Sequence, residues 1–434
     1  MERLARLLGI TLLAINGHSY AQDATLIHCG HLIAIPGEAV QDSMTLLISG
    51  DKILEVRDGY INADEIDGYE SIKVIDLSGS YVLPGMIDCH THITGQYSKD
   101  VRLRSVTETD ADSAIKATVF AKRTLDAGFT TIRNVGSSGD AAFAIRDAIK
   151  SGLVQGPRIL VAGESISPTG GHSDGTHGYR EGLMAVPTEY QGIADGVYSC
   201  RQAVRAQVKR GADVIKLTAT GGVLSNTKAG VEQQFFNDEL EAIMDTAHLL
   251  GRKVAAHAHG TTGINAALRA GVDSIEHGTY LDDESIELFL EHGAYLVPTI
   301  HAGKFVEHKA EIEGYFPPPV RAKAAMVGPQ IQDSTGRAYR AGVKIAFGTD
   351  VGVGKHGTNA EEFLYMRDAG MSPVDCLISA TIHAADLCDL SESIGTIEMG
   401  KIADIIAVPI NPLDDISAML NVEFVMARGK IAKH

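Results

Sequence analysis

Residues 81–92, with the sequence YVLPGMIDCHTH, place two histidines directly after an apolar run. Residues 82–87 predict a short buried strand, and side chains two residues apart in a strand point to the same face. His90 and His92 should therefore project together from its C-terminal end. Two neutral imidazoles placed in this way can chelate one divalent metal ion. Two half-buried histidines at the mouth of a loop would fit the same pattern, so the rest of the chain has to decide.

The composition of the 434-residue chain is that of a folded protein larger than one ordinary domain. Apolar residues make up 44% and charged residues 21%, which allows a large core and excludes wholesale disorder. The formal net charge is -17, without any run of lysine and arginine, so we expect neither a nucleic acid nor a membrane as a partner. The five cysteines are scattered and form no C-x-x-C pair, which argues against a disulfide framework or a zinc ribbon.

Residues 1–21 predict a signal peptide, with a native N-terminal helix as the alternative. Arg3 and Arg6 form a basic start, and the apolar core of residues 7–15 is too short to span a bilayer. Residues 19–21, Ser-Tyr-Ala, then offer a cleavage site. The mature protein is therefore expected to be periplasmic or secreted.

Short alternating runs of apolar and polar residues fill residues 22–84 and return in residues 394–434. Turn residues separate these runs, a pattern that is typical of β-strands without helices. Neither segment is large enough to bury a comfortable core alone. We therefore expect one small β-sandwich domain built from both ends of the chain, with residues 85–393 inserted as a second domain.

Residues 85–393 alternate between strand-like and helix-like patterns. Helical patterns, such as those of residues 195–210 and 237–250, lie between most of the strand candidates. Eight β/α units predict an α/β protein with a (β/α)₈ TIM barrel, whereas a doubly wound sheet is weakened by the lack of a dinucleotide-binding motif. The eight strand candidates are Ile87–His92, Thr131–Val135, Arg158–Ala162, Val214–Thr220, Val254–His259, Ser274–His277, Leu296–Ile300 and Lys344–Asp350.

Polar side chains stand at the ends of five of these predicted strands. In a barrel of this type the C-terminal strand ends carry the chemistry. A lone histidine or aspartate would more often be structural, but six such groups at converging ends predict a site for two metal ions. The six are His90 and His92 of the first strand, Lys216 of the fourth, His257 of the fifth, His277 of the sixth and Asp350 of the eighth.

Lys216 is the unusual member of this set. Because apolar residues flank it, we expect it to be buried, and burial depresses the pKa of an ammonium group. A neutral amine can add CO₂ to form a carbamate, which is an anionic ligand able to bridge two cations. The carbamate, Asp350 and a hydroxide ion would then offset most of the charge of two Zn²⁺ ions. The alternative is a lysine paired with a core acid, for which no candidate is evident in the sequence.

These residues resemble the pattern of the metal-dependent amidohydrolase superfamily. That superfamily combines His-x-His on strand 1, a carboxylated lysine on strand 4, histidines on strands 5 and 6, an aspartate on strand 8, and a β-sandwich made from both termini. Four segments are similar to its prolidase-like and carboxypeptidase-like branch, which includes ochratoxin-hydrolysing amidohydrolases. They are residues 82–88 (VLPGMID), 169–172 (TGGH), 254–260 (VAAHAHG) and 348–350 (GTD).

The resemblance implies a role for each residue. It implies two divalent metal ions, which we expect to be Zn²⁺, with these ligands: His90, His92 and Asp350 on the first ion, His257 and His277 on the second, and carboxylated Lys216 as the bridge. The pattern alone does not decide whether His257 or His259 is the metal ligand, because both side chains would face inward. The superfamily favours His257 as the ligand and leaves His259 to contact the substrate, as it does His172. Asp350 is implied to be the catalytic base that takes a proton from the attacking water and passes it to the leaving nitrogen.

The resemblance further implies hydrolysis of an amide bond next to a free carboxylate, with release of a C-terminal amino acid. Our best substrate expectation is ochratoxin A, split into phenylalanine and ochratoxin alpha. The alternatives are an Xaa-Pro dipeptidase and a carboxypeptidase for basic residues. A cyclic-amide hydrolase, a deaminase and a non-hydrolytic binding protein stay open on the same scaffold. Because oligomers are common in the resembling group, we expect a homo-oligomer that takes a small amide or dipeptide.

One motif points to a different reaction. Residues 171–175, GHSDG, match the G-x-S-x-G nucleophile elbow of serine hydrolases. That elbow requires a strand that runs directly into a helix. Here residues 176–179, THGY, are a poor helix start, and a polar loop separates the motif from the third strand. We therefore expect Ser173 not to be a nucleophile.

Overall fold

The computed structural model describes residues 23–226 and 230–434. The predicted signal peptide, residues 1–21, lies outside these described residues. Within the described ranges, no helix combines the length and the apolar character needed to cross a membrane.

Strands and helices are numbered separately, each in the order in which they occur along the chain. The strands are β1 (Ala24–Leu32), β2 (Gln41–Ser49), β3 (Lys52–Asp58), β4 (Ile72–Pro84), β5 (Met86–Thr91), β6 (Phe129–Asn134), β7 (Arg158–Val161), β8 (Ile215–Thr218), β9 (Val254–Ala258), β10 (Ser274–His277), β11 (Tyr295–Val297), β12 (Ile405–Val408), β13 (Phe424–Ala427) and β14 (Lys430–Lys433). The helices are α1 (Val101–Thr107), α2 (Asp110–Asp126), α3 (Ala141–Lys150), α4 (Gly196–Arg210), α5 (Asn237–Leu249), α6 (Thr261–Arg269), α7 (Asp283–His292), α8 (Ile300–Ala310), α9 (Pro318–Arg340), α10 (Glu361–Asp368), α11 (Pro373–Ile378) and α12 (Ala384–Leu387).

Strands from both ends of the chain form one mixed sheet with the order β14-β13-β12-β4-β1-β2-β3. The long strand β4 joins the two ends, because it pairs in parallel with β1 and, at residues 81–84, antiparallel with β12. Apolar side chains of both halves, among them Ile27, Leu46, Ile405 and Phe424, share one buried cluster. The strands from both ends thus form one continuous hydrogen-bonded sheet whose halves pack on a common core.

Gly85 separates this terminal sheet from the parallel strands that follow. The sequence predicts residues 82–87 as one strand, but β4 ends and β5 begins on either side of Gly85, so residues 82–84 belong to the terminal sheet. The Gly85 amide donates to the Asp404 carbonyl at 2.8 Å. A Cβ at this position would lie 2.3 Å from the side chain of Thr130, so the junction requires glycine.

The parallel strands of the middle segment fall into two sheets, β5-β6-β7 and β11-β10-β9-β8. Seven of the eight predicted strands therefore appear as strands. Ile166 connects the two sheets, since its amide donates to the Lys216 carbonyl at 2.8 Å and its carbonyl accepts from the Thr218 amide at 2.9 Å. The segment that follows β7 thus lies beside β8, while Val161, the last residue of β7, accepts the amide of Asp213 just before β8 at 2.7 Å.

The eighth predicted strand, Lys344–Asp350, is wrong as a regular strand but lies in the expected place. One of its residues, Ile345, makes a single bridge to Leu296 of β11, and the residue that follows the segment, Val351, bridges to Thr91 of β5. The Ala346 amide donates to the Leu296 carbonyl at 3.0 Å, and the Asp350 amide donates to the His90 carbonyl at 2.7 Å. Asp350, at the end of the segment, has a φ of 58°, so the chain leaves the extended conformation there.

The helices lie between the parallel strands in sequence, and two of the predicted ones, residues 195–210 and 237–250, are confirmed to within one residue as α4 and α5. No pattern singled out the pair α8 and α9. These two helices pack closely, since a Cβ at Gly328 would lie 2.8 Å from the carbonyl oxygen of Gly303. They matter for function because they form one wall of the site.

Candidate metal centre

The predicted ligands meet at one end of the parallel strands. His90, His277 and Asp350 each offer one ligand atom within 4.8 Å of the others. Nε2 of His92 lies 3.3 Å from Oδ1 of Asp350. Lys216 lines the same cavity. Residues that are far apart in the sequence are therefore brought to one point, as the strand-end argument requires.

A second group consists of His257, His259 and His277, whose ligand atoms also lie within 4.8 Å of one another. His277 therefore belongs to both groups. Its ring centroid lies 4.7 Å from that of His257 and 4.9 Å from that of His259. The sequence leaves His257 and His259 open as ligands, and the geometry places both beside His277, so His259 is as well placed for a metal ion as for a substrate.

Four histidines of the site share one arrangement of their rings. The Nδ1 atom of each lies 2.6–2.8 Å from an oxygen: His90 from Glu276, His92 from the Gly136 carbonyl, His259 from Thr279 and His277 from Thr299. Nε2 is thus the nitrogen left for a metal ion in every case. Partners of this kind fix the tautomer and the orientation of metal-ligating histidines.

Three residues of the site that are not glycine have a left-handed backbone: His277 (φ 76°), Thr299 (53°) and Asp350 (58°). Such a conformation costs on the order of 1–3 kcal/mol and persists where the surrounding structure imposes it. At His277 it breaks the alternation of β10, so that the consecutive residues Glu276 and His277 both lie against His90. The strain thus places two groups where a regular strand would place one.

Two buried polar atoms at the centre lack a hydrogen-bond partner among the described residues, Nζ of Lys216 and Oδ1 of Asp350. Burial lowers the pKa of Lys216 to about 8. Burial would raise the pKa of Asp350, but His90, His92 and Lys216 outweigh it and hold the pKa below its usual value. Because an unsatisfied buried group is costly, this donor set fits bound divalent ions, with a carbamate on Lys216 as a further ligand.

Burial favours the neutral form of four histidines of the centre, His90, His257, His259 and His277. Burial lowers the pKa of His90 to about 4 and that of His259 to about 3. Burial and the neighbouring histidines hold the pKa values of His257 and His277 well below the usual range. The neutral imidazole is the form that binds a metal ion, so the site is ready to bind without releasing protons from these rings.

His172, predicted from resemblance to contact the substrate, is also brought to the centre. Its ring stacks on that of His257 with the centroids 4.3 Å apart, and its buried Nδ1 has no partner within the described part of the chain. Gln234 accepts its backbone N–H at 2.8 Å. Gly222 passes so close that a Cβ there would lie 2.2 Å from the His172 ring. The roles of His172 and His259 stay predictions.

The serine motif has no strand–turn–helix geometry. Residues 171–175 form turns in the long connection between β7 and α4, and neither element adjoins them. The Ser173 amide donates to the Ser167 hydroxyl at 3.2 Å, which ties the turn together. The expectation that Ser173 is not a nucleophile agrees with this geometry.

The centre opens into a cavity of about 660 Å³. Apolar side chains of α8, α9 and the loop after β8 contribute one wall: Val223, Leu224, Val306, Val327 and Ile331. Besides Asp350, the acidic residues that line the described cavity are Glu108, which pairs with Lys116, and Asp110, which accepts the Asp140 amide at 2.9 Å. The wall formed by α8, α9 and the loop after β8 therefore suits an apolar group of a substrate better than a cationic one.

Two buried residues beside the centre, Arg133 and Glu276, match no motif in the sequence. Nη2 of Arg133 donates to Glu276 at 2.8 Å, and Glu276 in turn contacts His90. A clue was nonetheless available, because each is a charged residue inside a buried strand. Charged side chains are almost never fully buried without a partner, so their position implies a polar network.

Comparisons with known proteins agree with this site. The chain matches the amidohydrolase family over residues 81–432. Ochratoxinase from Aspergillus niger is 32% identical over 429 residues, which cover 94% of this chain and 86% of that protein. A crystal structure of a Xaa-Pro dipeptidase with bound methionine in the active site is 45% identical, with a TM-score of 0.89, and the match covers 95% of this chain and 100% of the other. A prolidase complexed with N-methylphosphonate-L-proline is 32% identical, with a TM-score of 0.84 over 95% and 100% of the two chains. The chain therefore belongs to the amidohydrolase family, in its prolidase-like branch, and is a hydrolase that acts on amide bonds.

Proposed function

We propose that the protein is a binuclear zinc amidohydrolase that cleaves an amide bond next to a free carboxylate and releases a C-terminal amino acid. One observation carries the proposal: buried imidazoles surround two polar atoms, Nζ of Lys216 and Oδ1 of Asp350, for which the described residues provide no hydrogen bond. His90, His92 and Asp350 would hold the first ion. The other ligands are His257 and His277 for the second ion and carboxylated Lys216 as the bridge.

The proposal includes the architecture that the family implies. The parallel strands would form the (β/α)₈ barrel of residues 85–393, and residues 22–84 and 394–434 would form the second domain. The bonds that Ile166 makes to β8, and those that residues 344–351 make to β11 and β5, support a closed ring of strands. Strand ends in such a ring converge, which explains why ligands so distant in sequence share one site.

The residues of the chain divide the work of hydrolysis. When bound, two divalent ions lower the pKa of a water molecule and polarise the scissile carbonyl. In this proposal, Asp350 accepts the proton of the attacking water and transfers it to the leaving nitrogen. His172 and His259 border the cavity and are proposed to orient the carbonyl or the carboxylate of the substrate. Burial of these groups keeps bulk water from the reacting atoms.

Ochratoxin A is the proposed substrate. The relative ochratoxinase is similar along nearly the whole chain, and the phenylalanine released from ochratoxin A would suit the apolar wall of the cavity. An Xaa-Pro dipeptidase is the second candidate, favoured by the 45% identity to the dipeptidase structure that holds methionine. A carboxypeptidase for basic residues has less support, because the apolar wall offers no acidic group. Only a deaminase on this scaffold would release ammonia, and only a cyclic-amide hydrolase would open a ring.

Product release from purified protein tests the proposal. The zinc-loaded protein, supplied with bicarbonate, is incubated with ochratoxin A, N-acyl amino acids and Xaa-Pro dipeptides, and the products are separated by chromatography. We expect free phenylalanine from ochratoxin A, loss of activity with a chelator and resistance to serine-reactive phosphonates. Absence of phenylalanine from metal-replete protein would exclude this substrate, and cleavage of Xaa-Pro dipeptides alone would favour the second candidate.

We also propose that residues 1–21 direct export to the periplasm or the medium and that the protein is a homo-oligomer. The basic start and short apolar core support the first proposal, and the resemblance supports the second. N-terminal sequencing of the protein from its native host should begin at Gln22. Light scattering of the same sample should give a multiple of the chain mass.

A further inference from the structure

Arg133, Ser274 and Glu276 form a buried polar chain that ends on the candidate ligand His90. Oε1 of Glu276 accepts from Nη2 of Arg133 at 2.8 Å and from the Ser274 hydroxyl at 2.6 Å. The other carboxylate oxygen, Oε2, lies 2.7 Å from Nδ1 of His90. Arg133, Glu276 and His90 are each exposed by 1% or less. One oxygen of the carboxylate is thus occupied by two donors, and the other is left for the imidazole.

This chain of contacts connects the two parallel sheets. His90 and Arg133 lie on the neighbouring strands β5 and β6, whereas Glu276 lies on β10 of the other sheet. Nε of Arg133 also donates to the carbonyl of Cys89, the residue before His90, at 2.6 Å. A single guanidinium group therefore holds both the backbone that carries His90 and the carboxylate that receives its ring N–H.

Stability alone does not account for this arrangement. A buried ion pair contributes little to folding, because the cost of desolvating both charges offsets their attraction. An ion pair that served only the core would not need a second carboxylate oxygen on a ring of the site. An imidazole whose Nδ1–H is held by a carboxylate presents an unprotonated Nε2, and the carboxylate makes that nitrogen a stronger metal donor.

We propose that Glu276, held in place by Arg133, is a positioning residue that fixes the tautomer and orientation of His90 toward the first metal ion. The inference rests on the proposed metal centre and adds to it two residues outside the predicted ligand set. Glu276 is fully buried and is not among the residues that line the described cavity. Its effect should therefore appear first in how firmly the protein holds its metal.

The rate of zinc loss to a chromophoric chelator measures that effect. Glu276→Gln removes the carboxylate charge. We expect the variant either to lose zinc about 10- to 100-fold faster or to bind zinc more weakly by the same factor. The matched control is Asp404→Asn, because Asp404 is buried and pairs with Arg158 at 3.0 Å, and neither residue lines the described cavity. Zinc loss in this control should equal that of the wild type.

A double variant separates positioning from a merely structural role. Glu276→Gln leaves the Arg133 charge buried without a counter-charge, which lowers Tm by itself. Arg133→Met with Glu276→Gln removes both charges, so Tm should recover while zinc loss stays fast. Glu276→Asp, which keeps the charge but shortens the side chain, should fold and also lose zinc faster.

Each result decides between the two roles. If the double variant or Glu276→Asp folds and retains zinc as the wild type does, the pair is structural and the proposal is overturned. A wild-type protein that binds no zinc would instead refute the proposed function, and the two failures are therefore distinguishable.

Discussion

The proposed proton transfer depends on one side chain, Asp350. Asp350→Asn removes the base, so kcat should fall by roughly 10²- to 10⁴-fold. The fold should be retained, because asparagine tolerates the φ of 58° found at this position. Steady-state kinetics and circular dichroism check these two expectations, and zinc analysis shows whether the variant still holds its ions.

A matched control distinguishes the effect of losing the site residue from the general effect of an aspartate-to-asparagine change. Asp389 is exposed and has a φ of 57°, so Asp389→Asn makes the same change on the same backbone conformation away from the centre. This variant should keep full activity. Substantial turnover by an Asp350→Asn protein that still holds both ions would contradict the assignment of the base.

At the same scale, the sequence predicts the candidate metal ligands better than the residues that hydrogen-bond to those ligands. A histidine or aspartate at the end of an apolar run stands out, and all six predicted ligands lie around the centre. Glu276 stands out only as a charged residue within an apolar run, and Thr299 does not stand out at all, because no pattern of apolar spacing encodes its left-handed backbone. Contacts such as Thr299 with His277 depend on strands that pair only in the folded chain.

At the scale of elements, periodicity predicts regular strands and fails at irregular ones. The seven regular strands of the parallel sheets were predicted because each is a short apolar run between turns. Lys344–Asp350 has the same composition, yet Gly348 packs so tightly that a Cβ would lie 2.3 Å from Val297, and the chain turns at its end. Whether α8 and α9 would line a cavity depends on tertiary packing that the sequence pattern does not contain.

The loop between β8 and α5 should control His172 through Gly222. Gly222→Ala would place a methyl group against the His172 ring and push it off His257. A displacement of about 1 Å in a positioning group can cost about 10²-fold, so we expect kcat/KM to fall by about that factor with Tm unchanged. Kinetics on the preferred substrate and a thermal melt test this.

Gly230→Ala is the control in the same loop, since a Cβ there meets nothing within 4 Å. It should behave as the wild type. If His172 mediates the effect, adding Gly222→Ala to a His172→Ala protein should cause little further loss. Additive losses in this cycle would show that Gly222 acts on something other than His172.

At the scale of the whole molecule, the centre lies where two sheets meet that only a few backbone hydrogen bonds connect. His90 belongs to the sheet β5-β6-β7, whereas Lys216, His257 and His277 belong to the sheet of β8 to β11. Metal ions held by all of them would tie the two sheets together. Because an ion that binds only the folded state adds its binding free energy to folding, loss of metal should weaken the whole domain rather than a single loop.

Thermal unfolding with and without zinc tests this coupling. Free zinc at about 100 times its Kd stabilises a protein by about 2.7 kcal/mol, and each kcal/mol raises the Tm of a large domain by roughly 2 °C. We therefore expect a chelator to lower Tm by several degrees in one transition, and zinc to restore it.

His277→Asn, which removes the residue common to both groups but tolerates φ 76°, should lose most of this shift. His308→Ala, at an exposed position of α8, should keep it, because His308 lies outside the centre. An equal shift in both variants would mean that zinc acts elsewhere on the surface, and the two sheets would then be held together by their own packing.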